Sequence, residues 1–215
     1  SSAFSHQSDF AMMSWRMPVL SPASVAELIE FGLYGWALSR ASGAWVGMKA
    51  ISEVVESASS VDLDAIVDGV PAPVVDDFFV ADRSLGSLHL RPDEIPNLAI
   101  EARMAARLDA VRAFAKLRSI DRLVADAPHA RVGIVTCGKA HRDLLEALRR
   151  IGVTLDDLAR AGVRVYKIGL AYPVEPDRAL AFARGLDEVL VVEEKGPVVE
   201  QQLQQLLYNA PADSR

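Results

Sequence analysis

Apolar residues fall along this chain in two kinds of pattern. In the last third, residues 132–136, 163–168 and 188–192 are short runs rich in Val and Ile, each followed by Gly, Pro or a charged residue. Runs without polar alternation predict parallel strands covered on both faces. Helical spacing fills the gaps. Leu144, Leu148 and Ile151 make one stripe, with Gly152 placed to end it. Residues 179–186 carry a second helix, and Gly196-Pro197 opens a third in which Val199, Leu203 and Leu207 recur every fourth position. The order βαβαβα predicts a small doubly wound parallel-sheet layer over residues 126–215.

Upstream the pattern changes. Residues 95–124 lack Gly and hold only Pro96, where a first-turn proline is tolerated, so one helix of about 40 Å is expected there, at 1.5 Å per residue. Its basic residues, Arg103, Arg107, Arg112, Lys116, Arg118 and Arg122, spread over two sectors and are diluted by Glu101, Asp109 and Asp121, which reads as a solvated face. Residues 71–95 hold Pro71, Pro73 and Pro92 with little periodicity and read as an extended connector, ahead of a long helix assigned to 96–125. Before them, "SPASVAELIEFGLYGWALSR" offers two helix starts: Ser21-Pro22, and a capping box from Ser24 to Glu27. Leu28, Ile29, Phe31, Leu33, Tyr34 and Trp36 make that helix apolar nearly all round, which predicts burial on every side. A strand is expected at 45–51. Residues 1–70 thus read as part of an α/β domain.

Composition narrows the function. Of 215 residues 51% are hydrophobic, slightly high for a soluble domain, so some apolar surface is expected to meet a neighbour. A net charge of −6 without a basic segment argues against nucleic acid and against an anionic membrane. No run suits a membrane span, and the opening "SSAFSHQSDF" has neither the charge nor the apolar block of a secretory signal. It also lacks an initiator methionine, so a processed or excised piece is expected. A single cysteine excludes an internal disulfide, a cysteine zinc site and a self-contained iron–sulfur cluster, and fits a reducing cytoplasm.

Several residues could carry chemistry. In "RVGIVTCGKAHRD", Gly133, Gly138 and Lys139 come one residue short of a phosphate loop, because Ala140 stands where a magnesium-binding hydroxyl is needed. The β-branched residues between the glycines read as strand, leaving Gly138 and Lys139 as a candidate anion-binding turn. Glu193 and Glu194 end a strand, where ligands gather in open parallel sheets, yet adjacent strand residues face opposite sides. Solvation of the strand end and pairing with Lys195 or an arginine is the plainer expectation. Cys137 precedes a helix start that could lower its pKa, but a small buried thiol is the commoner case. His6, Gln7, Ser8 and Asp9 form a polar cluster entering a helix, and the spacing of His6, His89, His129 and His141 suggests no metal site.

Five ordered stretches carry a resemblance: "SSAFSHQSDF", "MPVLSPASVAELIEFGLYGWALSRASGAWVGMKAISEVVES", "VGIVTCGKAHRDLLEALRRIGV", "VYKIGLAYPVEP" and "VLVVEEKGPVVEQQLQQLLYN". Together they resemble the long, fused bacterial form of indolepyruvate ferredoxin oxidoreductase, within the thiamine-diphosphate-dependent 2-oxoacid:ferredoxin oxidoreductases. The resemblance implies that residues 1–70 close a pyrimidine-binding-type α/β domain and that 126–215 form a transketolase C-terminal-like domain. It implies CoA-dependent oxidative decarboxylation of an aryl-2-oxoacid, with electrons passing through 4Fe–4S clusters to ferredoxin. It also implies thiamine diphosphate with Mg in a longer parent, none of these cofactors being expected on this piece alone. Ser5, His6 and Gln7 would then be pocket-lip groups; Asp9 stands where the family is expected to carry Glu; Gly138-Lys139 matches a "GK" after the first strand. No catalytic residue is assigned, and no turnover is expected from the piece by itself. Remaining polypeptide, ferredoxin, the oxoacid and coenzyme A are the implied partners, and a homo-oligomer is open. Two other readings stand beside this one: a non-catalytic α/β assembly module, and a nucleotide- or coenzyme-A-binding α/β protein using Gly138 and Lys139.

Overall fold

Three of the expected strands lie side by side in the computed structural model, which describes residues 7–69, 88–89 and 98–210. In chain order the first half contains α1 (Ser8–Ser14), β1 (Val19–Leu20), α2 (Val25–Ser42), β2 (Gly47–Met48), α3 (Ser52–Val55), α4 (Leu63–Gly69) and α5 (Ala99–Leu117). The second half contains β3 (Arg122–Ala125), β4 (Val132–Cys137), α6 (Ala140–Arg150), α7 (Leu155–Arg160), β5 (Val163–Ile168) and β6 (Leu170–Tyr172). It ends with α8 (Pro176–Ala183), β7 (Glu188–Val192) and α9 (Val198–Asn209).

The larger sheet has the order β3-β5-β4-β7. Strands β5, β4 and β7 are parallel, as their unalternating apolar runs require, and β3 joins the β5 edge antiparallel. The smaller sheet has the order β2-β1-β6, where β1 and β2 are parallel and flank α2 in a βαβ unit. The architecture is α/β. Both sheets share one continuous piece of chain, because β5 and β6 are separated only by Gly169. A Cβ there would lie 2.9 Å from Phe31 Cζ, so a side chain at this corner would have to displace the Phe31 ring. Asp121 pins it, accepting hydrogen bonds from the N–H groups of Gly169 (2.7 Å) and Leu170 (3.2 Å).

Alternation along the strands gives the larger sheet two different faces. Val135, Tyr166 and Ile168 pack with Phe182 of α8 and with Val199 and Leu203 of α9. The opposite face carries Thr136 and Lys167, both buried. Lys167 forms an ion pair with Glu27 of α2, and its Nζ lies 5.8 Å from the centre of the Phe31 ring. Glu27 also accepts a hydrogen bond from Ala23 N at 2.7 Å. Thr136 Oγ1 lies 2.9 Å from His141 Nδ1. A second core joins α2 to α5 through Phe31, Tyr34, Leu38, Val111 and Phe114.

Several expectations are corrected. The single helix over 95–124 stops at Leu117, and Arg122–Ala125 is a strand: Ser119 Oγ and the N–H of Asp121 bond each other across a turn that sends the chain back along β5. Arg103 is buried rather than solvated. Helix α2 is not covered on every side, since Trp36 is 70% exposed. Ser24 caps α2 through Glu27 N, but the Glu27 carboxylate turns to Ala23 and Lys167, so the capping box is only half made. The strand expected at 45–51 shrinks to two residues, and Ile151 is exposed beyond the end of α6. Helix α7, closed by a Thr154–Asp157 capping box, was not expected. The connector at 71–95 lies outside the described residues apart from Leu88 and His89.

Two outcomes follow from the polar face. Glu27→Gln, which keeps an acceptor for Ala23, and Lys167→Met should each lower unfolding stability in urea by about 3–5 kcal/mol, because each strands a buried charge. The double variant should lose clearly less than the sum; additive losses would show that the charges do not interact. The second concerns pH. Burial, helped by Lys167, pushes the His141 imidazole down to about 4, so the unfolded chain takes up protons below about 6.5 that the fold refuses. Stability should therefore fall as pH drops from 6.5 toward 4, by at most about 1.4 kcal/mol per unit. Burial pushes Asp121 up to about 6 despite its hydrogen bonds, and that opposes the trend, since the fold holds a proton that the unfolded chain releases above about 4. Asp121→Asn should steepen the acid-side loss and His141→Gln should remove it, as read by denaturation midpoints between pH 4 and 7.

Candidate functional site

Residues singled out by sequence converge where the parallel strands end. Strand β4 ends at Cys137, Gly138 turns the chain with φ +56°, and Lys139 leads into α6. Strand β7 ends at Val192, and Glu193 to Pro197 lead into α9. Helices α8 and α9 share the apolar face of the sheet, whereas α6 brings His141 to Thr136 on the other. Neighbouring strands β4 and β7 therefore send their following helices to opposite faces, and such a switch point opens a crevice where ligands bind in open α/β sheets.

Here the crevice is filled from the first fifty residues. Gln7 Oε1 accepts a hydrogen bond from Gly196 N at 2.7 Å. Asp9, which is buried, pairs with Lys49 at 2.8 Å, and Ser21 sits against Gly138. What remains is a cavity of roughly 20 Å³ bordered by Asp9, Ser21, Lys49, Cys137, Lys139 and Glu194. Asp9 Oδ1 and Ser21 Oγ border it without a nitrogen or oxygen partner among the described residues. Space and polarity suit about one bridging water.

Electrostatics make the site quiet. Burial pushes the Cys137 thiol up to about 12, more than the Ser21 hydroxyl and Lys49 pull it back, so it is a protonated, poor nucleophile. Asp143, 2.8 Å away, pairs with Lys139 and favours its charged form. The Glu193 carboxylate is occupied by backbone: it accepts from the N–H groups of Val198 (3.1 Å), Val199 (2.9 Å) and Glu200 (3.0 Å). The N-terminus of α9, a ready anion site in principle, is thereby satisfied from within. Glu175 treats α8 likewise through Asp177 N and Arg178 N. His141 meets Thr136 rather than Cys137. Ser5 and His6 lie outside the described residues.

A diphosphate with its metal does not fit these groups. The cavity is too small, and no cluster of His, Cys, Asp or Glu among the described residues could hold a metal ion. One cysteine cannot supply the four thiolates of an ordinary iron–sulfur cluster. Among the described residues, no helix is long and apolar enough to cross a membrane. Sequence reasoning did not foresee Asp121, Glu175 and the Glu27–Lys167 pair. Only Glu175 left a local trace, an acceptor just before the helix-starting Pro176.

Residues 122–215 match the indolepyruvate oxidoreductase domain family. The chain is 26% identical over 191 residues to the indolepyruvate oxidoreductase subunit IorA of Pyrococcus abyssi, covering 87% of this chain and 27% of that one. It is 26% identical over 201 residues to the same subunit of Thermococcus kodakarensis, covering 90% and 28%. The chain thus spans about a quarter of the length of the curated relatives it matches. A 2-oxoglutarate:ferredoxin oxidoreductase from Magnetococcus marinus is similar at 18% identity and a TM-score of 0.35, over 49% of this chain and 18% of that one, which is too distant to bear on fold or site.

The Cys137 thiol gives a direct check. At pH 7.5, native Cys137 should react with iodoacetamide at least about a hundredfold more slowly than in urea, given a pKa roughly three units above that of a free thiol. Labelling at the unfolded rate would show that the thiol is open and ionisable.

Proposed function

We propose, from the premise that this chain belongs to the indolepyruvate oxidoreductase family, that it braces the reaction centre of an indolepyruvate (aryl-2-oxoacid):ferredoxin oxidoreductase. The reaction is the CoA-dependent oxidative decarboxylation of the oxoacid on thiamine diphosphate, with electrons leaving through iron–sulfur clusters to ferredoxin, in the cytoplasm. The observation that carries this reading is the family match over residues 122–215, joined to homology across most of the chain. The cofactor chemistry belongs to further polypeptide, because the crevice of this chain is already closed.

What these residues do is hold shape. Gln7 ties the entry of α1 to the loop before α9, and the family resemblance assigns Ser5 and His6, together with Gln7, to the lip of a pocket completed elsewhere. Polar groups on such a lip can donate to a carboxylate. Gly138 and Lys139 add a positively charged turn on the same side of the sheet, partly offset by Asp143. Asp121 and the Glu27–Lys167 pair lock the layer behind them.

The test has two arms. The 215-residue chain, supplied with indolepyruvate, coenzyme A, thiamine diphosphate, magnesium and an electron acceptor, should show no rate above background. The whole product of its gene, purified without oxygen, should reduce the acceptor with indolepyruvate and coenzyme A. Turnover by the chain alone, or a gene product without clustered cysteines, would falsify the reading.

A further inference from the structure

The face of α2 that points away from α5 is open among the described residues. Trp36 on that face is 70% exposed, and Trp45, just before β2, is 78% exposed. Between them lies a groove of roughly 340 Å³ with Leu20, Phe31 and Met48 along its walls. Its floor on α2 is made of small residues, Gly32, Gly35 and Ser39, and nothing lies within 4 Å of where a Gly32 side chain would begin. Scattered exposed apolar residues are ordinary; two tryptophans flanking an apolar groove are not.

The backbone beside the groove is also unfinished. Gly47 N donates to Pro18 O and Lys49 N to Leu20 O, so residues 47 and 49 face β1. In a parallel ladder the residue between them must face the other way. The N–H and C=O of Met48 therefore point to the outer edge of β2, where no strand pairs among the described residues. A parallel edge strand with bare apolar neighbours is an incomplete layer, since parallel sheets are normally covered on both faces.

We infer that the outer edge of β2 and the Trp36–Trp45 groove receive an extended apolar strand from the further polypeptide of the same subunit. This rests on the reading of the chain as part of a larger oxidoreductase subunit. Length favours that occupant: the relatives carry nearly three-quarters of their chain beyond the part matched here. The chemistry favours a strand over a small ligand, because the site offers a backbone donor and acceptor that pair with no strand among the described residues, next to apolar walls. The strand's backbone takes the Met48 groups, and a large side chain lies over Gly32 between the two tryptophans.

The experiment compares the 215-residue chain with the whole gene product by hydrogen exchange and tryptophan emission. In the 215-residue chain the Met48 amide should exchange freely and the tryptophans emit as exposed. In the whole product the amide should slow by at least about a hundredfold and the emission shift to the blue. Met48→Pro removes the outward donor without touching the bonds to β1, and should weaken the docking so that limited proteolysis releases the covering strand. Met48→Leu keeps the donor and should behave as the parent, which separates a lost edge from a damaged fold. Free exchange at Met48 in the whole product would overturn the proposal. So would protection already present in the 215-residue chain, whether from its own residues or, if it rises with concentration, from a second copy. None of these readings depends on substrate, so failure of the assay for indolepyruvate and failure of this docking are distinguishable.

Discussion

The pairing of Lys167 with Glu27 is the contact on which the arrangement of the rest depends. Both side chains are nearly sealed from water, so removing either one strands the other without its partner. Lys167 projects from β5 and Glu27 from the first turn of α2, so the pair joins elements separated by 140 positions in the chain. Once it forms, α2 can dock on the larger sheet in one register only. That register brings Phe31 over the lysine and against the corner at Gly169, where a Cβ would crowd the ring. The corner in turn decides where β6 begins, and β6 is the strand that receives β1. A single buried ion pair thus sets the relation between the two sheets, at a cost in desolvation that a purely apolar seam would avoid.

A common chemistry recurs around this seam. Asp121, Glu175 and Glu193 each direct a carboxylate at two or more backbone N–H groups at a corner or helix start. These are the donor arrays that dinucleotide- and phosphate-binding proteins leave open for a ligand. Here the acceptors are internal, and the switch-point crevice is filled by Gln7, Asp9 and Lys49 as well. A fold of a type well suited to binding anions has used its donor groups on itself. This favours bracing over ligand capture as the work of the residues at the strand ends.

The parallel strands were legible because their signal is local. Residues 163–168 and 188–192 read as strands from Val and Ile alone and proved to be so. The same apolar density concealed what mattered most, since Lys167 sits in a run dominated by Val and Ile and gives no sign that it faces a glutamate far upstream. Asp121 was read as one more charge on a helix face, and its true position follows from a turn made by Ser119 that periodicity does not register. The shortened helix α5 has the same origin: Arg118 to Arg122 continue a helical pattern, but pairing with β5 recruits Arg122–Ala125 into the sheet. Of the candidate site, Gly138, Lys139 and Glu193 were singled out by type and position and Gln7 by the family resemblance; the first three border one crevice, and Gln7 bonds the loop that follows Glu193. That the crevice is closed depended on contacts across more than a hundred residues, which no local pattern carries.

The treatment of apolar surface on α2 completes the logic. A helix apolar all round needs a partner on each side. One side meets Val111 and Phe114 of α5, and another meets the sheet through Phe31 and Leu20. The third side, with Trp36, has cover from neither. Among the described residues of this chain, most buried polar side-chain atoms have partners, and two of the exceptions, Asp9 Oδ1 and Ser21 Oγ, lie at one small cavity beside Cys137. Its apolar groups are not so matched along β2. Because burying a tryptophan stabilises by more than about 2 kcal/mol, surface of this kind is a standing drive toward association. Internal polar closure and external apolar openness belong together in the proposed role of a brace, which needs rigidity within and adhesion where it meets further polypeptide.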